Sequence, residues 1–223
     1  MESMLEGFLN QIKADILKMA GLVEFSLKSA IGTIKTESAE DLKKVYGAEE
    51  EINQLHRSID KASFRFLARQ APKASDLRLI LSLIKINTDL ERMGDLACNI
   101  GYYAQGIIAL KGPKIGLDLE PMTENVLWMV RKAIESLMTG NAELAQAVLE
   151  RDDLVDELKD EAFKRTKQEI KHNPNILDGG LDIILVSRNL ERVADHATNI
   201  AEDVIFATTG RDVRHGTLDE FNS

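Results

Sequence analysis

The chain has 223 residues with a formal net charge of −9, and its 44% hydrophobic and 29% charged residues are ordinary proportions for a protein with a sizeable core. The negative charge argues against nucleic acid as a general partner, because phosphate binding requires a basic surface. One cysteine cannot form an internal disulfide, and no apolar run approaches the roughly 20 residues of a membrane span, so we expect a soluble, cytoplasmic protein.

The first half of the chain has the pattern of three long helices. Apolar residues recur every three or four positions from Leu5 to Ile34, which predicts one face of an amphipathic helix. A weak break follows at residues 35–38, and a second break at Ala71-Pro72 separates the second segment from the third. The third segment has the same helical spacing of apolar residues, at Leu77, Ile80, Leu81, Ile84, Leu90, Met93 and Ala97.

The strongest break in the chain divides it into two halves. It contains Gly112-Pro113, Gly116 and Pro121, residues that would interrupt any helix crossing them, so we interpret it as a linker. Weaker breaks at residues 139–141 and at Asn173-Pro174 divide the second half into three segments. Apolar residues at helical spacing in the fourth segment are Val126, Met129, Val130, Ala133 and Leu137.

The two halves repeat one pattern. Residues 90–100 (LERMGDLACNI) recur as residues 190–200 (LERVADHATNI), with seven of eleven positions identical. Residues 45–53 align with 148–156 at an offset of 103, and Pro72 and Pro174 differ by 102. The retained order and spacing indicate a duplication. We therefore predict an all-α fold of six long helices as two tandem, pseudo-symmetric three-helix bundles, at residues 1–112 and 117–210, followed by a tail at 211–223.

Each half carries polar residues one helical turn apart on its second and third helices. Side chains at i and i+4 project from the same face of a helix, so two facing helices would bring three or four oxygen ligands together. Such a set suits hard or borderline cations. The candidate metal ligands are Glu49, Asn53, Glu91 and Asp95 in the first half, and Asp152, Asp156, Glu191 and Asp195 in the second.

A solvated helical face is the alternative interpretation, with Arg92 and Arg192 forming salt bridges to neighbouring carboxylates. The occurrence of the motif in two matched sets favours metal binding. We expect His196, which lies off the Glu191 face, to be a surface or packing residue, and Cys98 to be a small core residue. Asn99 and Asn199 fit either an outer-shell role or a packing hydrogen bond. No nucleophile motif is present, and the acidic motifs end in Asp or Asn where four-helix di-iron enzymes carry Glu-x-x-His, which disfavours an enzyme.

The repeated Leu-Glu-Arg-x-x-Asp motif, with residues 70–78 (QAPKASDLR) opening the third helix, resembles the PhoU family of bacterial phosphate-uptake regulators. The resemblance covers nearly the whole chain. It implies two three-helix bundles, often dimeric, that bind a multinuclear cluster of iron, zinc or other divalent metals at the acidic motifs. Asn53 departs from the acidic pattern, so the first site is expected to be weaker, differently occupied or empty, and the Asp-Leu-Arg element is absent after Pro174.

The resemblance further implies a non-enzymatic adaptor that acts as a negative regulator of phosphate uptake and of the phosphate regulon. Its implied partners are the ATPase of a phosphate ABC transporter and a sensor histidine kinase, which would bring the protein to the inner membrane without insertion. The acidic helix faces leave two other functions open: a carboxylate-bridged metalloenzyme, or a metal-free helical scaffold that docks on basic partner surfaces.

Overall fold

The computed structural model describes residues 4–37, 40–110, 116 and 118–213, and none of these residues forms a strand. The prediction of an all-α fold with six helices in two repeats of three is confirmed. Predicted boundaries at residues 112 and 117, and the tail from residue 214 onward, lie outside the described residues. The helices are α1 (Met4–Thr36), α2 (Glu40–Arg69), α3 (Ala74–Ala109), α4 (Glu120–Thr139), α5 (Ala142–His172) and α6 (Leu177–Thr209), with a 3₁₀ turn at Pro174–Ile176 before α6.

Local sequence explains several helix ends. Gly140 (φ 65°) and Gly210 (φ 75°) end α4 and α6 in the left-handed conformation that glycine adopts without a steric penalty. The Asn141 side chain then caps α5 by accepting a hydrogen bond from the backbone N–H of Leu144. Pro121, which was predicted to lie in the linker, lies in the first turn of α4. Proline is tolerated there because the backbone N–H at that position would have no intrahelical acceptor.

Within each repeat, neighbouring helices pack antiparallel. Phe8 near the start of α1 stacks on Phe66 near the end of α2, with 4.3 Å between ring centroids. In the second repeat, the Arg151 guanidinium of α5 lies 4.4 Å from the centroid of the Trp128 ring of α4. Gly101 of α3 faces α2, and a Cβ atom there would lie 3.1 Å from Leu42 Cδ2, so glycine permits a close approach of the two helices.

The two repeats share one hydrophobic core. The most extensive contact between elements joins α3 to α6, and buried apolar residues of all six helices form a single cluster. Lys85 in the first half of α3 reaches Asp203 in the second half of α6, with 3.0 Å between Nζ and Oδ1, and Asp89 farther along α3 contacts Asn199 earlier on α6, so these two helices also run antiparallel. A smaller contact joins α1 to α4, where the Arg131 guanidinium lies 3.8 Å from Glu24. The repeats are therefore fused side by side.

The predicted apolar stripe on α3 is wider than the face that the other helices cover. Leu77 and Leu81, which belong to the stripe, are 38% and 44% exposed. The matched residues of the second repeat, Leu177 and Leu181, are 47% and 48% exposed. Both pairs lie in the opening turns of their helices, so the neighbouring helices leave this part of the stripe uncovered. No helix in the described part of the chain is both long and apolar enough to cross a membrane.

Candidate metal centre

The four candidate ligands of the second repeat lie on two neighbouring helices whose acidic faces meet. Asp152 and Asp156 project from α5, while Glu191 and Asp195 project from α6. Lys159 of α5 connects the two helices, since its Nζ lies 2.9 Å from Asp156 Oδ1 and 3.3 Å from Glu191 Oε1. The α5 and α6 motifs therefore lie close enough for a single ammonium to contact both.

Burial and mutual repulsion make this acidic face costly to ionise. Partial burial, followed by the charges of Asp195 and Asp156, raises the pKa of Asp152 to about 6. Burial and then Glu191 and Asp156 raise the pKa of Asp195, although His196 and Lys159 oppose part of this effect. The hydrogen bond with Asp156 raises the pKa of Lys159, which keeps its ammonium charged. Carboxylates from α5 and α6 thus lie in one another's electric field.

In the first repeat, the candidate ligands contact side chains of their own helices. The Asn53 side-chain amide donates a hydrogen bond to Glu49 one turn earlier on α2. On α3, the Arg92 guanidinium lies 3.5 Å from Glu91 Oε2 and 3.5 Å from Asp95 Oδ2, and these are the salt bridges that the interpretation as a solvated helical face expects of this arginine. These contacts satisfy part of the carboxylate charge without a metal ion.

Cys98 lies beside the acidic residues of the first repeat. Its thiol is half-buried, and burial, followed by the charges of Glu49 and Asp95, raises its pKa to about 12. Those two carboxylates come from α2 and α3, so the thiol lies near both helices. Cys98 also packs against the core, as expected of a small core residue, and it stays protonated at neutral pH.

The carboxylates of the acidic motifs are suitable ligands for a cation, but the side chains that now contact them would have to move. Within residues 4–37, 40–110, 116 and 118–213, no three His, Cys, Asp or Glu side chains are grouped closely enough to hold a metal ion. The acidic face of the second repeat (Asp152, Asp156, Glu191 and Asp195), here called the second face, offers the carboxylate oxygens that hard and borderline cations require. Burial and then like charges raise the pKa of Asp152 and Asp195 on this face. A metal ion there would replace the Lys159 contacts with Asp156 and Glu191.

His196 and Asn199 belong to the contact between the repeats. His196 Nδ1 lies 2.7 Å from Asp89 Oδ1 of α3, and the Asn199 amide donates to the same oxygen at 3.3 Å. Both residues therefore act in packing α6 against α3, which agrees with the packing interpretation of His196 and selects the packing hydrogen bond for Asn199. The repeated acidic motif did not point to Asp89, because the second repeat has Asn189 and not a carboxylate at the aligned position.

A second polar group that the sequence did not reveal lies one turn from Glu91. The fully buried amide of Asn87 donates to Asp60 Oδ1 at 3.0 Å and to the His56 backbone carbonyl at 3.1 Å. His56 Nε2 lies 3.6 Å from Asp60 Oδ2. The i,i+4 spacing of His56 and Asp60 could have indicated a shared face, whereas the contribution of Asn87 depends on how α2 and α3 pack.

Comparison with known families gives a consistent result. The PhoU domain model matches residues 16–104 and again residues 119–204, one match in each repeat. A phosphate-specific transport system accessory protein PhoU homolog 1 from Thermotoga maritima is 32% identical over 213 residues, which cover 94% of this chain and 90% of the relative. A phosphate-specific transport system accessory protein PhoU homolog from Pseudomonas putida is 35% identical over 208 residues, covering 93% and 81%.

Solved structures agree with the sequence matches. The crystal structure of PhoU from Pseudomonas aeruginosa superposes with a TM-score of 0.87 at 33% identity, and the match covers 92% of this chain and 99% of that one. The PhoU domain match extends over most of the chain, in both repeats. The chain therefore belongs to the PhoU family.

Proposed function

We propose that this protein is a regulatory accessory of a phosphate transport system, that it lowers phosphate uptake when phosphate is plentiful, and that it acts without catalysis. The proposal rests on the match, over most of both chains, to relatives named as accessory proteins of phosphate-specific transport systems. The proposed partners are the transporter ATPase and a sensor histidine kinase at the inner face of the membrane. Regulation of both by one homodimeric adaptor would couple transport to gene expression.

Phosphate uptake by cells that lack this protein tests the regulatory role. Removal of a negative regulator should raise the uptake of radiolabelled phosphate in phosphate-rich medium, and expression of the intact chain should restore the lower rate. Co-purification with the transporter ATPase should accompany restoration. Unchanged uptake after deletion would contradict the proposal.

The acidic faces are proposed to bind iron or zinc as a multinuclear cluster. The second face supports this proposal, because burial and the neighbouring carboxylates raise the pKa of Asp152 and Asp195, and a bound cation would relieve that repulsion. Its ligands would be Asp152, Asp156, Glu191 and Asp195. Glu49, Glu91 and Asp95 would serve in the first repeat, where Asn53 supplies a neutral oxygen.

Elemental analysis of the untagged protein, purified without chelators, tests metal binding. The paired change Glu191→Gln with Asp195→Asn should remove at least half of the bound iron or zinc, because it removes the α6 ligands. The matched control is Glu157→Gln with Glu161→Gln, an exposed i,i+4 pair on the same repeat. Equal metal content in the ligand variant and in the control would count against the assigned ligands.

A further inference from the structure

Lys159 holds two candidate metal ligands of the second repeat at once. Its Nζ contacts Asp156 of its own helix at 2.9 Å and Glu191 of α6 at 3.3 Å, and it lies 3.9 Å from Asp160. The Lys159 and Glu191 side chains are only 25% and 24% exposed, so solvent screens this contact less than it would at an open surface. One ammonium therefore connects the acidic motifs of α5 and α6.

The first repeat has no lysine at the matched position. The offset that aligns Asp156 with Asn53 aligns Lys159 with His56, whose ring lies 3.6 Å from Asp60 on the same helix. The second face has four carboxylates and one ammonium, whereas the first has three carboxylates and a formally neutral histidine. When the arginines common to both are set aside, each face has a net formal charge of −3. The positive charge of Lys159 thus balances the additional carboxylate of the second face.

We propose that Lys159 is an internal counter-ion that competes with metal ions for Asp156 and Glu191 and so sets the metal affinity of the second repeat. This inference rests on the proposed metal-binding function. An ammonium and a metal cation need the same carboxylate lone pairs and repel each other at this range, so the binding of one weakens the binding of the other. The two repeats then differ in metal affinity because of the residue at this position as well as because of Asn53.

Zn²⁺ titration against a chromophoric chelator tests the proposal in the full-length chain. The background carries Glu91→Gln and Asp95→Asn, so that binding reports the second face. Lys159→Met removes the charge and keeps an unbranched side chain, and Lys159→Gln provides a second neutral variant in case the first alters folding. The matched control is Lys164→Met on the same helix, since Lys164 is exposed and the change in net charge is the same.

The neutral Lys159 variants should bind Zn²⁺ about tenfold more tightly than the background, while the Lys164 control should be unchanged. Equal or weaker Zn²⁺ binding by both neutral variants would overturn the counter-ion role and leave metal binding intact. An equal gain in the Lys164 control would also overturn it, because net charge alone would then explain the effect. Absence of Zn²⁺ binding in every variant and in the unmodified chain would remove the metal proposal together with this one.

Discussion

Asp152 is the residue at which folding and protonation are most directly linked in the candidate centre. Burial and neighbouring carboxylates raise its pKa from 3.8 to about 6, so the folded chain holds this proton more tightly than the unfolded chain does. Between those two values the folded state binds more protons, and its stability decreases as the pH rises through that window. At neutral pH, the ionised Asp152 therefore destabilises the metal-free fold.

Asp152→Asn should stabilise the metal-free protein at pH 7.5 because it removes that ionised group. We expect a gain of about 1 kcal/mol, since solvent screens a half-buried carboxylate, and the gain should shrink as the pH is lowered to 5. Thermal unfolding with a chelator present measures it at each pH. Glu157→Gln, at an exposed position of the same helix, is the control, and an equal gain from that variant would contradict a specific effect at Asp152.

Metal binding at the second face should weaken as the pH falls through about 6. Protons then compete with the metal for Asp152, and for Asp195, whose pKa is also raised. Zn²⁺ affinity measured between pH 5 and 8 in the background that isolates this face should show the decrease. An affinity that is constant over this range would exclude both carboxylates as ligands.

The sequence predicted which acidic residues share a helical face but not what those residues contact. The i,i+4 spacing is a local property, so the pairing of Glu191 with Asp195 follows from helical geometry alone. The reach of Lys159 to Glu191 depends on how α5 packs on α6. Asp89 is a stronger example, because its contact with His196 joins residues that are 107 positions apart.

At the scale of elements, the contact between α3 and α6 is held by polar side chains as well as by the core. Asp89 accepts hydrogen bonds from both His196 and Asn199, and the Lys85–Asp203 ion pair lies farther along the same helices. The Asp89 and His196 side chains are 14% and 20% exposed, so their contact lies in a partly desolvated region. These contacts should stabilise one register of α6 on α3.

A double-mutant cycle with Asp89→Asn and His196→Gln should give a coupling energy of about 1 to 2 kcal/mol, as expected for a partly buried, charge-assisted hydrogen bond. Urea unfolding at pH 7 measures each corner of the cycle. The matched control replaces His196→Gln by Thr198→Val, because the Thr198 hydroxyl donates to the Asp195 carbonyl of its own helix. Coupling in the control as large as that for His196 would contradict a direct Asp89–His196 contact.

Helix number and order could be predicted because periodicity and helix breakers are local features. The Ala71-Pro72 and Asn173-Pro174 breaks both coincide with observed helix ends. The place of Pro121 could not be predicted, because proline has opposite effects in the first turn and in the interior of a helix. The exposure of Leu77 could not be inferred from an apolar stripe, since the stripe does not specify how far the neighbouring helices extend along α3.

At the scale of the whole molecule, the shared core implies that the repeats unfold together. Ile86 of α3 and Val186 of α6 occupy matched positions and are both fully buried in the same cluster. A substitution that disturbs the core in either repeat therefore weakens the packing of both repeats. Cooperative unfolding of the pair follows from this continuity.

Calorimetry should show a single unfolding transition for the metal-free chain. Ile86→Ala should destabilise it by about 2 to 5 kcal/mol, and Val186→Ala by a smaller amount, because each leaves a cavity in the core. Both variants should lower the midpoint of the same transition. Two separate transitions, each shifted by only one of the variants, would show that the repeats unfold independently.

Antiparallel pairing of two matched helices has the geometry of a twofold axis, the arrangement by which identical subunits associate. The polar contacts along α3 and α6 nevertheless do not obey that symmetry. In a pair of first repeats, Tyr103 would take the place of Asp203 opposite Lys85, and Leu96 would replace His196 beside Asp89. The interface thus favours association of unlike halves, and it disfavours a dimer in which two copies of the same half pair with each other.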